Sequence, residues 1–388
     1  MELLFDEKVR TDPRPSTHLE GNYQFLDRCS FVGFEEVRKT LNAWFFKYPI
    51  QERAELKQRF IKEFSPAFFE LFLFEFFCQL GYEVIVHPIV PGTTKRPDFL
   101  VKKGNFEFYV EAKEATDLSE SERSIRNIND HFYDQLNQIN SPNFFLWIKE
   151  LNIKSSELPR FTKIRRQIEH QINSFDPDII KEKIETGGLN QSDSITYEDE
   201  KVRITISLIP KTKSKGIEGL RPIGIYEVQS FWGDTDESIK TAIKKKASRY
   251  GHIDKPYLIC INSTGFLTDD YSILSALFGS LKRSISTNSE NLNEKWFRER
   301  NGIFVGPKGP QFTRLSGIFI TSLYVSNLHI ANYQIYSHPF SKNPLEFQNL
   351  GLSFNSLVNK ELVKVEGKSI KEILNIPSDW FKNWNFDF

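Results

Sequence analysis

The chain has 388 residues, 39% of them apolar and 14% aromatic, enough to fill two ordinary domains or one elaborated one, which excludes a disordered polymer. Lys and Arg total 51 and Asp and Glu total 51, so no net field draws a polyanion to the whole molecule, and any nucleic-acid binding has to use local patches. Cys29, Cys78 and Cys260 share no short spacing, which makes neither a disulfide framework nor a zinc knuckle; a reducing cytoplasm is the expected location.

The opening "MELLFDEKVRTDPRP" lacks the basic and apolar regions of a secretory signal, and the most apolar stretch, "AFFELFLFEFFCQLGYEVIV", is interrupted by Glu70 and Glu75, so no membrane segment is expected. In "GFEEVRKTLNAWFFKYP", "IQERAELKQRFIKEF" and "SPAFFELFLFEFFCQLG", apolar residues recur every three or four positions, which predicts three consecutive helices. Pro49 is expected to break the first, Ser65 and Pro66 to start the third as N-cap and N1, and Gly81 to end it. The runs "YEVIVHPIV", "PDFLVKK" and "FEFYVEAK" read as strands, the last two joined by a tight turn at Gly104 and Asn105. A helix over 121–138 and a strand "NFFLWIKE" complete the order helix, three strands, helix, strand, an α/β layer, and the helix "LPRFTKIRRQIEHQINSF" closes this half.

The polar, Gly-Gly-containing stretch 176–200 is the expected boundary, giving one domain over 1–175 and a second α/β or α+β domain over 176–388 for substrate binding or dimerisation. That second half alternates again: strands "KVRITISLIP" and "IGIYEVQ", helix "ESIKTAIKKKASRYG", strand "PYLICIN", helix "DYSILSALFGSL", then strand-like runs. The aromatic tail "WFKNWNFDF" is expected to dock on the body.

Alternation places Glu111 and Lys113 on one face of the third strand, and the turn brings the preceding strand, opened by Asp98, alongside it. Two adjacent carboxylates repel unless a cation lies between them, and hard oxygen ligands suit Mg²⁺ or Mn²⁺. Such an ion polarises a phosphodiester and acidifies a bound water, while an amine such as Lys113 offsets charge that develops on phosphorus. On a helical wheel Glu70 lies among Pro66, Ala67, Leu73, Phe74 and Phe77, whereas Glu75 and Gln79 share another face. A buried Glu70 needs a partner, because an unpaired carboxylate there costs several kcal/mol.

"PDFLV" followed by "VEAK" resembles the PD-(D/E)XK restriction-endonuclease-like superfamily, with Asp98, Glu111 and Lys113 at its Asp, Glu and Lys positions. The resemblance implies an αβββαβ core, a Mg²⁺-dependent endonuclease acting on DNA, and metal ligation by Asp98, Glu111 and the Ala112 carbonyl. "FFELFLFEFFCQLGY" resembles the first helix of Mrr-like members, in which a Glu at the Glu70 position joins the site; Glu75 is the second choice. "AIKKKASRYGHIDKPYLICIN" and "SALFG" are similar to stretches of uncharacterised bacterial proteins that carry an N-terminal nuclease-like domain. A role in restriction or phage defence, a homodimer and a regulatory partner protein are further expectations of this likeness.

Two basic clusters are candidate DNA contacts: Lys163, Arg165 and Arg166, and Lys244, Lys245, Lys246 and Arg249. Gln135 and Gln138 lie on the helix from which some relatives donate a polar residue, although a purely structural role is the stronger expectation for them. Histidines, His87 included, lack metal-ligand spacing, and neither a P-loop nor a Rossmann fingerprint is present. The rival reading is a catalytically silent module of the same fold that binds nucleic acid or a protein.

Overall fold

The computed structural model describes residues 2–115, 120–155, 159–212, 215–216, 221–226, 235–251, 253–264, 269–286, 293–359 and 361–381. The chain is of mixed α/β architecture and separates into two compact units, one built on Gly21–Ser119 and the chain from Gly233 onward, the other on Ser16–Glu20 and Glu120–Trp232.

The first unit begins with four helices, α1 (Asn22–Arg28), α2 (Val32–Lys47), α3 (Ile50–Lys62) and α4 (Phe64–Gln79), followed by strands β1 (Glu83–Val86), β2 (Phe99–Lys103) and β3 (Phe106–Ala115). Pro49 separates α2 from α3 as the N-cap residue of the latter. Helix α4 starts earlier than Ser65 and Pro66 suggest: Glu63 is its N-cap and no side chain caps it. Proline is tolerated there because the first-turn N–H groups have no partner within the helix. Gly81, at φ 81°, ends the helix in the left-handed conformation that glycine adopts without a Cβ clash. Gly104, at φ 60°, turns β2 into β3 so that Phe99 faces Val110 and Lys103 faces Phe106.

After β3 the chain builds the second unit: α5 (Glu120–Leu136), β4 (Phe144–Ile153), α6 (Phe161–Ile172), α7 (Pro177–Gly187), β5 (Ser194–Glu198), β6 (Val202–Pro210) and β7 (Ile223–Ile225). These strands form their own sheet in the order β5-β6-β4-β7. Its core contains Ile148, Ile164, Ile168, Ile180, Ile204 and Leu208. The expected boundary at 176 therefore falls inside a folded unit. What reads as a polar linker is a helix start, with Asp176 accepting the Asp178 N–H at 2.8 Å and Pro177 in the first turn, followed by a strand whose Ile195 and Tyr197 alternate into the core.

The chain then resumes the first unit with α8 (Thr235–Ala247), β8 (Tyr257–Ser263), α9 (Asp270–Phe278), β9 (Leu281–Ser286), β10 (Asn293–Arg298), β11 (Val305–Gly306), β12 (Gly309–Pro310), β13 (Gly317–Thr321), β14 (Tyr333–Ser337), β15 (Phe354–Val358), β16 (Glu361–Val365) and α10 (Ile370–Leu374). The main sheet runs β1-β2-β3-β8-β13-β14-β15-β16, with β8 parallel to β3 and Glu111 opposite Ile259. The strand "NFFLWIKE" exists as β4 but belongs to the other sheet, and β8 is the strand that lies beside β3. Of the segments expected to form a separate second domain, β8 and β13 to β16 instead extend the first sheet.

Alternate residues of the central strands face two helical layers. Phe99, Val101, Phe108, Val110 and Phe319 join the core shared with α2, α3 and α4, whereas Tyr109, Ile259, Ile261, Ile318 and Ile320 join the core beneath α8 and α9. Every residue of β8 is buried, as a parallel strand covered on both faces requires. Helix α4 is buried from Ala67 to Phe77 because the sheet covers one side and α2, α3 and α10 pack against it as well. Glu75, on the face it shares with Gln79, is thus buried too; its Oε1 accepts from Lys47 at 2.5 Å and from Gln79 at 2.6 Å. Trp380 docks, donating to the Val325 carbonyl at 3.2 Å; positions 382–388 of the aromatic tail lie outside the described residues. Among the described residues no helix is long and apolar enough to cross a membrane.

Phe76 joins α4 to the sheet, with ring centroids 5.8 Å from Phe319 and 5.9 Å from Tyr333. Phe76→Ala is expected to cost about 3–5 kcal/mol, measured as a lower urea midpoint at unchanged slope. A loss below about 1 kcal/mol would contradict this packing.

Candidate active site

The site forms where β2 and β3 part. Pairing of the two strands stops at Phe99 and Val110, and Asp98 takes over: its Oδ2 accepts the Ala112 N–H at 2.6 Å, so a carboxylate satisfies the next amide of β3 where strand pairing has ended. His87 closes the other side. It leaves β1 at φ 47°, its N–H donates to the Asp98 carbonyl at 3.0 Å, and its ring Nδ1 lies 3.2 Å from Glu52. Its role here is to hold the strand end in place, in keeping with the expectation from sequence.

Glu111 projects from β3 toward α8 and is 0% exposed. Its Oε1 accepts from Lys246 Nζ and, at 3.0 Å, from Arg249 Nη1; its Oε2 accepts from Tyr250 Oη at 2.5 Å. The Tyr250 Oη also lies 2.8 Å from the Arg96 carbonyl, so its one proton serves either acceptor and the residues after α8 stay beside the segment that leads into Asp98. Arg314 secures that helix end from β13's side, donating to the carbonyls of Tyr250, at 2.5 Å, and of Gly251. Burial first, and then the negative charge of Asp98, push the Glu111 carboxyl above the ordinary range, against the opposing pull of Lys246. The Tyr250 hydroxyl is raised as well, by burial and by Glu111.

Glu70, 2% exposed, comes from the opposite helical layer. The partners its burial demands are a phenol and a guanidinium: Tyr48 Oη donates to Oε1 at 2.8 Å and Arg59 Nη1 to Oε2 at 2.7 Å. Burial again raises its pKa most; Arg59 opposes this and Asp98 adds to it. Asp98 therefore acts on both buried glutamates, which places the three acids in one electrostatic site.

Lys113 follows two residues after Glu111 on β3, half-buried, and strand alternation gives it the same face. Ala112 enters the site through the N–H that Asp98 accepts. The cluster on α8 divides: Lys244 and Lys245 are exposed, whereas Lys246 and Arg249 are committed to Glu111 and are not a free solvated face. Lys163, Arg165 and Arg166 belong to the second unit, as do Gln135 and Gln138; Gln138 Oε1 accepts from Arg165 at 2.7 Å. Tyr48, Arg59, Tyr250 and Arg314 are site residues that no motif marks; the one sequence signal for any of them is that a buried Glu70 must have a cation or hydrogen-bond donor.

No family model, curated protein or solved structure matches the chain.

A divalent ion, which the family resemblance implies, does not fit these residues as arranged. Glu111, one of the two expected carboxylate ligands, already carries two cations on one oxygen and a phenol on the other, and Glu70 is neutralised by Arg59. Among the described residues no three His, Cys, Asp or Glu side chains are gathered as a metal-holding group.

Removing Arg59 leaves Glu70 buried without its cation. Arg59→Met is expected to cost about 2–3 kcal/mol, less than for a fully enclosed pair because 32% of the Arg59 side chain is exposed. Combining it with Glu70→Gln should recover at least about 1 kcal/mol of that loss. Additive losses in the denaturation cycle would show that the two do not interact.

Proposed function

We propose that the chain is a nuclease that hydrolyses DNA phosphodiester bonds, with Asp98 and Glu111 as its acidic pair and Lys113 at the nucleophile. The observation that carries this reading is the position of Asp98, on the strand end beside Glu111 and within electrostatic range of Glu70. Perturbed carboxylates with specific partners concentrate where proton transfer or charge stabilisation is needed.

The order of elements supports the same reading. Helix α4, strands β1, β2 and β3, helix α8 and strand β8 follow the αβββαβ succession of the restriction-endonuclease-like core once the inserted second unit is set aside. On this view Lys246 and Arg249, together with Lys113, offset the charge that builds on phosphorus as the bond breaks, because preorganised cations in a dry site act more strongly than in water. Mg²⁺ or Mn²⁺ is the cofactor that the family resemblance implies for such an activity; with Glu111 held by Lys246, Arg249 and Tyr250, no step of this proposal is routed through it. The inserted unit is proposed to position the polymer, and DNA is preferred to RNA on family analogy.

The silent binding module is a second reading, and the neutralised Glu111 favours it. Supercoiled, linear and single-stranded DNA incubated with the protein and Mg²⁺ or Mn²⁺ separate the two. Cutting by the wild type, lowered at least about a hundredfold in Lys113→Ala and in Asp98→Ala, is the expected result. Binding of DNA with no cutting in either metal would establish the module instead.

The inserted unit offers a place for the DNA backbone. Arg160, Lys163 and Arg166 line a shallow groove with Thr162 and Gln167 on the solvent side of α6, while Ile164, Ile168 and Ile172 anchor the helix beneath. None of the three cations forms an ion pair with another described residue, whereas Lys154, Lys183, Arg203 and Lys215 of this unit are each paired with an acid. Replacing all three with Gln is expected to weaken DNA binding at every sequence and to reduce the slope of log affinity against log salt by about 2–3. An unchanged slope would remove α6 from the interface.

A further inference from the structure

We infer that the ribbon formed by β9 and β10 binds DNA where its two strands part, one unpaired base stacking on Trp296 and another on Phe297, on opposite faces of the ribbon. The identity of the polymer rests on the nuclease reading above; what is added is the substrate class, a fork or frayed end in place of a continuous duplex.

The ribbon is a two-stranded sheet of its own, paired from Leu281 with Arg298 to Ser286 with Asn293. A lone hairpin is marginal in water, so its root has to be held. Arg298 Nη1 donates to the Gly279 carbonyl at 2.8 Å, the Glu299 N–H donates to the Ser280 carbonyl at 2.9 Å, and Asn301 Oδ1 accepts the Ser280 N–H at 2.9 Å. Gly279, at φ 97°, runs so close to the Glu299 carbonyl that a Cβ there would lie 1.9 Å from its oxygen.

Beyond this fixed root the rings are open to solvent. Trp44 and Trp380 are buried, whereas Trp296 is 58% exposed and Phe297 44%. As neighbours on one strand the two rings face opposite ways, and the register gives each a cation. Arg283 lies across from Trp296, its guanidinium carbon 5.9 Å from the ring centroid, and Lys282 lies across from Phe297. Each face thus carries an aromatic surface for a base and a cation for a phosphate, the combination that holds single strands without sequence preference. Lys282 also pairs with Glu299 at 3.3 Å and Arg298 is engaged at the root, but cations still outnumber acids along 281–300. Rings on opposite faces cannot stack on neighbouring bases of one strand; they match two strands that pass on either side.

The root lies on the same side of the main sheet as the candidate site. The register row Glu111, Ile259, Ile318, Tyr336 crosses that sheet, and Phe278, the last residue of α9 before the ribbon, packs on Tyr336 with ring centroids 6.3 Å apart. Strand spacings of about 4.8 Å put Tyr336 roughly 14 Å from Glu111, about four nucleotides of one strand at ~3.4 Å each.

The test measures the affinity of the full chain, in EDTA to hold back cutting, for a forked duplex with two unpaired arms, for a blunt duplex of the same paired sequence and for one arm alone. The fork is expected to bind at least about fivefold tighter than either. Trp296→Ala and Phe297→Ala should each lower fork affinity about five- to tenfold and change blunt-duplex affinity less than about twofold, with Trp296→Phe close to wild type. Both rings are exposed, so the urea midpoint is expected to stay in place, and the comparison of fork with duplex is internal to each variant. Equal binding of fork and blunt duplex by the wild type, no loss in the alanine variants, or a loss that is the same for both DNAs overturns the inference. A wild-type dimer in sedimentation that Trp296→Ala splits without changing fork affinity also overturns it, by making a second copy the occupant. Cleavage with Mg²⁺ or Mn²⁺ is read separately: a fork preference that depends on both rings, without cutting, keeps the ribbon and removes the nuclease, whereas cutting without a fork preference does the opposite.

Discussion

A carboxylate on the middle strand of a sheet covered on both faces has to be answered by cations from the layer above it, and Glu111 imposes that requirement on this chain. It can be met only if α8 returns to cover β3, although the whole of the second unit is made between them. The return also lays β8 parallel to β3, and β13 then adds to β8, so the sheet grows outward from the strand that carries the charge. Tyr250 and Arg314 make the docking specific where apolar contact alone would permit sliding: the Tyr250 hydroxyl, with one proton, lies between Glu111 and the Arg96 carbonyl, and Arg314 holds the carbonyls of Tyr250 and Gly251 just past the helix. Buried polar bonds of this kind add less to stability than to the choice of a single register, because each alternative register leaves a charge unpaired.

Local structure was legible in the sequence wherever one residue decides it. Gly81 and Gly104 mark the end of α4 and the β2–β3 turn because positive φ favours glycine, and strand alternation placed Glu111 and Lys113 on one face. The partner of each strand was not legible. Period-two patterning identifies "NFFLWIKE" and "PYLICIN" as strands without saying which sheet each joins, so the order helix, three strands, helix, strand does not tell that β8 and not β4 lies beside β3. An insertion between two elements leaves no trace in periodicity, and the polar surface of α7 resembles a linker until Ile180 is seen to be buried.

The candidate site divides along the same line. Asp98, Glu111 and Lys113 could be found because they lie within one hairpin and its lead-in, where spacing fixes proximity. Lys246 and Arg249 were visible as charges but not as partners of Glu111, since a lysine-rich helix looks like a solvated face unless the acid beneath it is known. Tyr48 and Arg59 were invisible for the converse reason: the need of Glu70 for a partner was clear, but nothing local says which of the many Tyr and Arg residues meets it.

Burial of an acid does not by itself mark a functional site, as a third glutamate in this protein makes plain. Glu75 is as deeply buried as Glu70 on the same helix; its Oε1 accepts from Lys47 at 2.5 Å and from Gln79 at 2.6 Å, while its Oε2 has no hydrogen-bond partner among the described residues. Helical geometry turns it well away from Glu70, so its pair joins α2 to α4 and nothing more. Glu70 and Glu111 have partners on both oxygens, and each also feels Asp98, a carboxylate that is only half-buried and spends one oxygen on a backbone amide. A fold seeking stability alone gains nothing from bringing a further negative charge to two that already had to be neutralised. An acid kept in that position at an electrostatic cost is what a site awaiting a cationic or proton-bearing partner requires, and this is why the functional reading rests on Asp98 and not on the deeper glutamates.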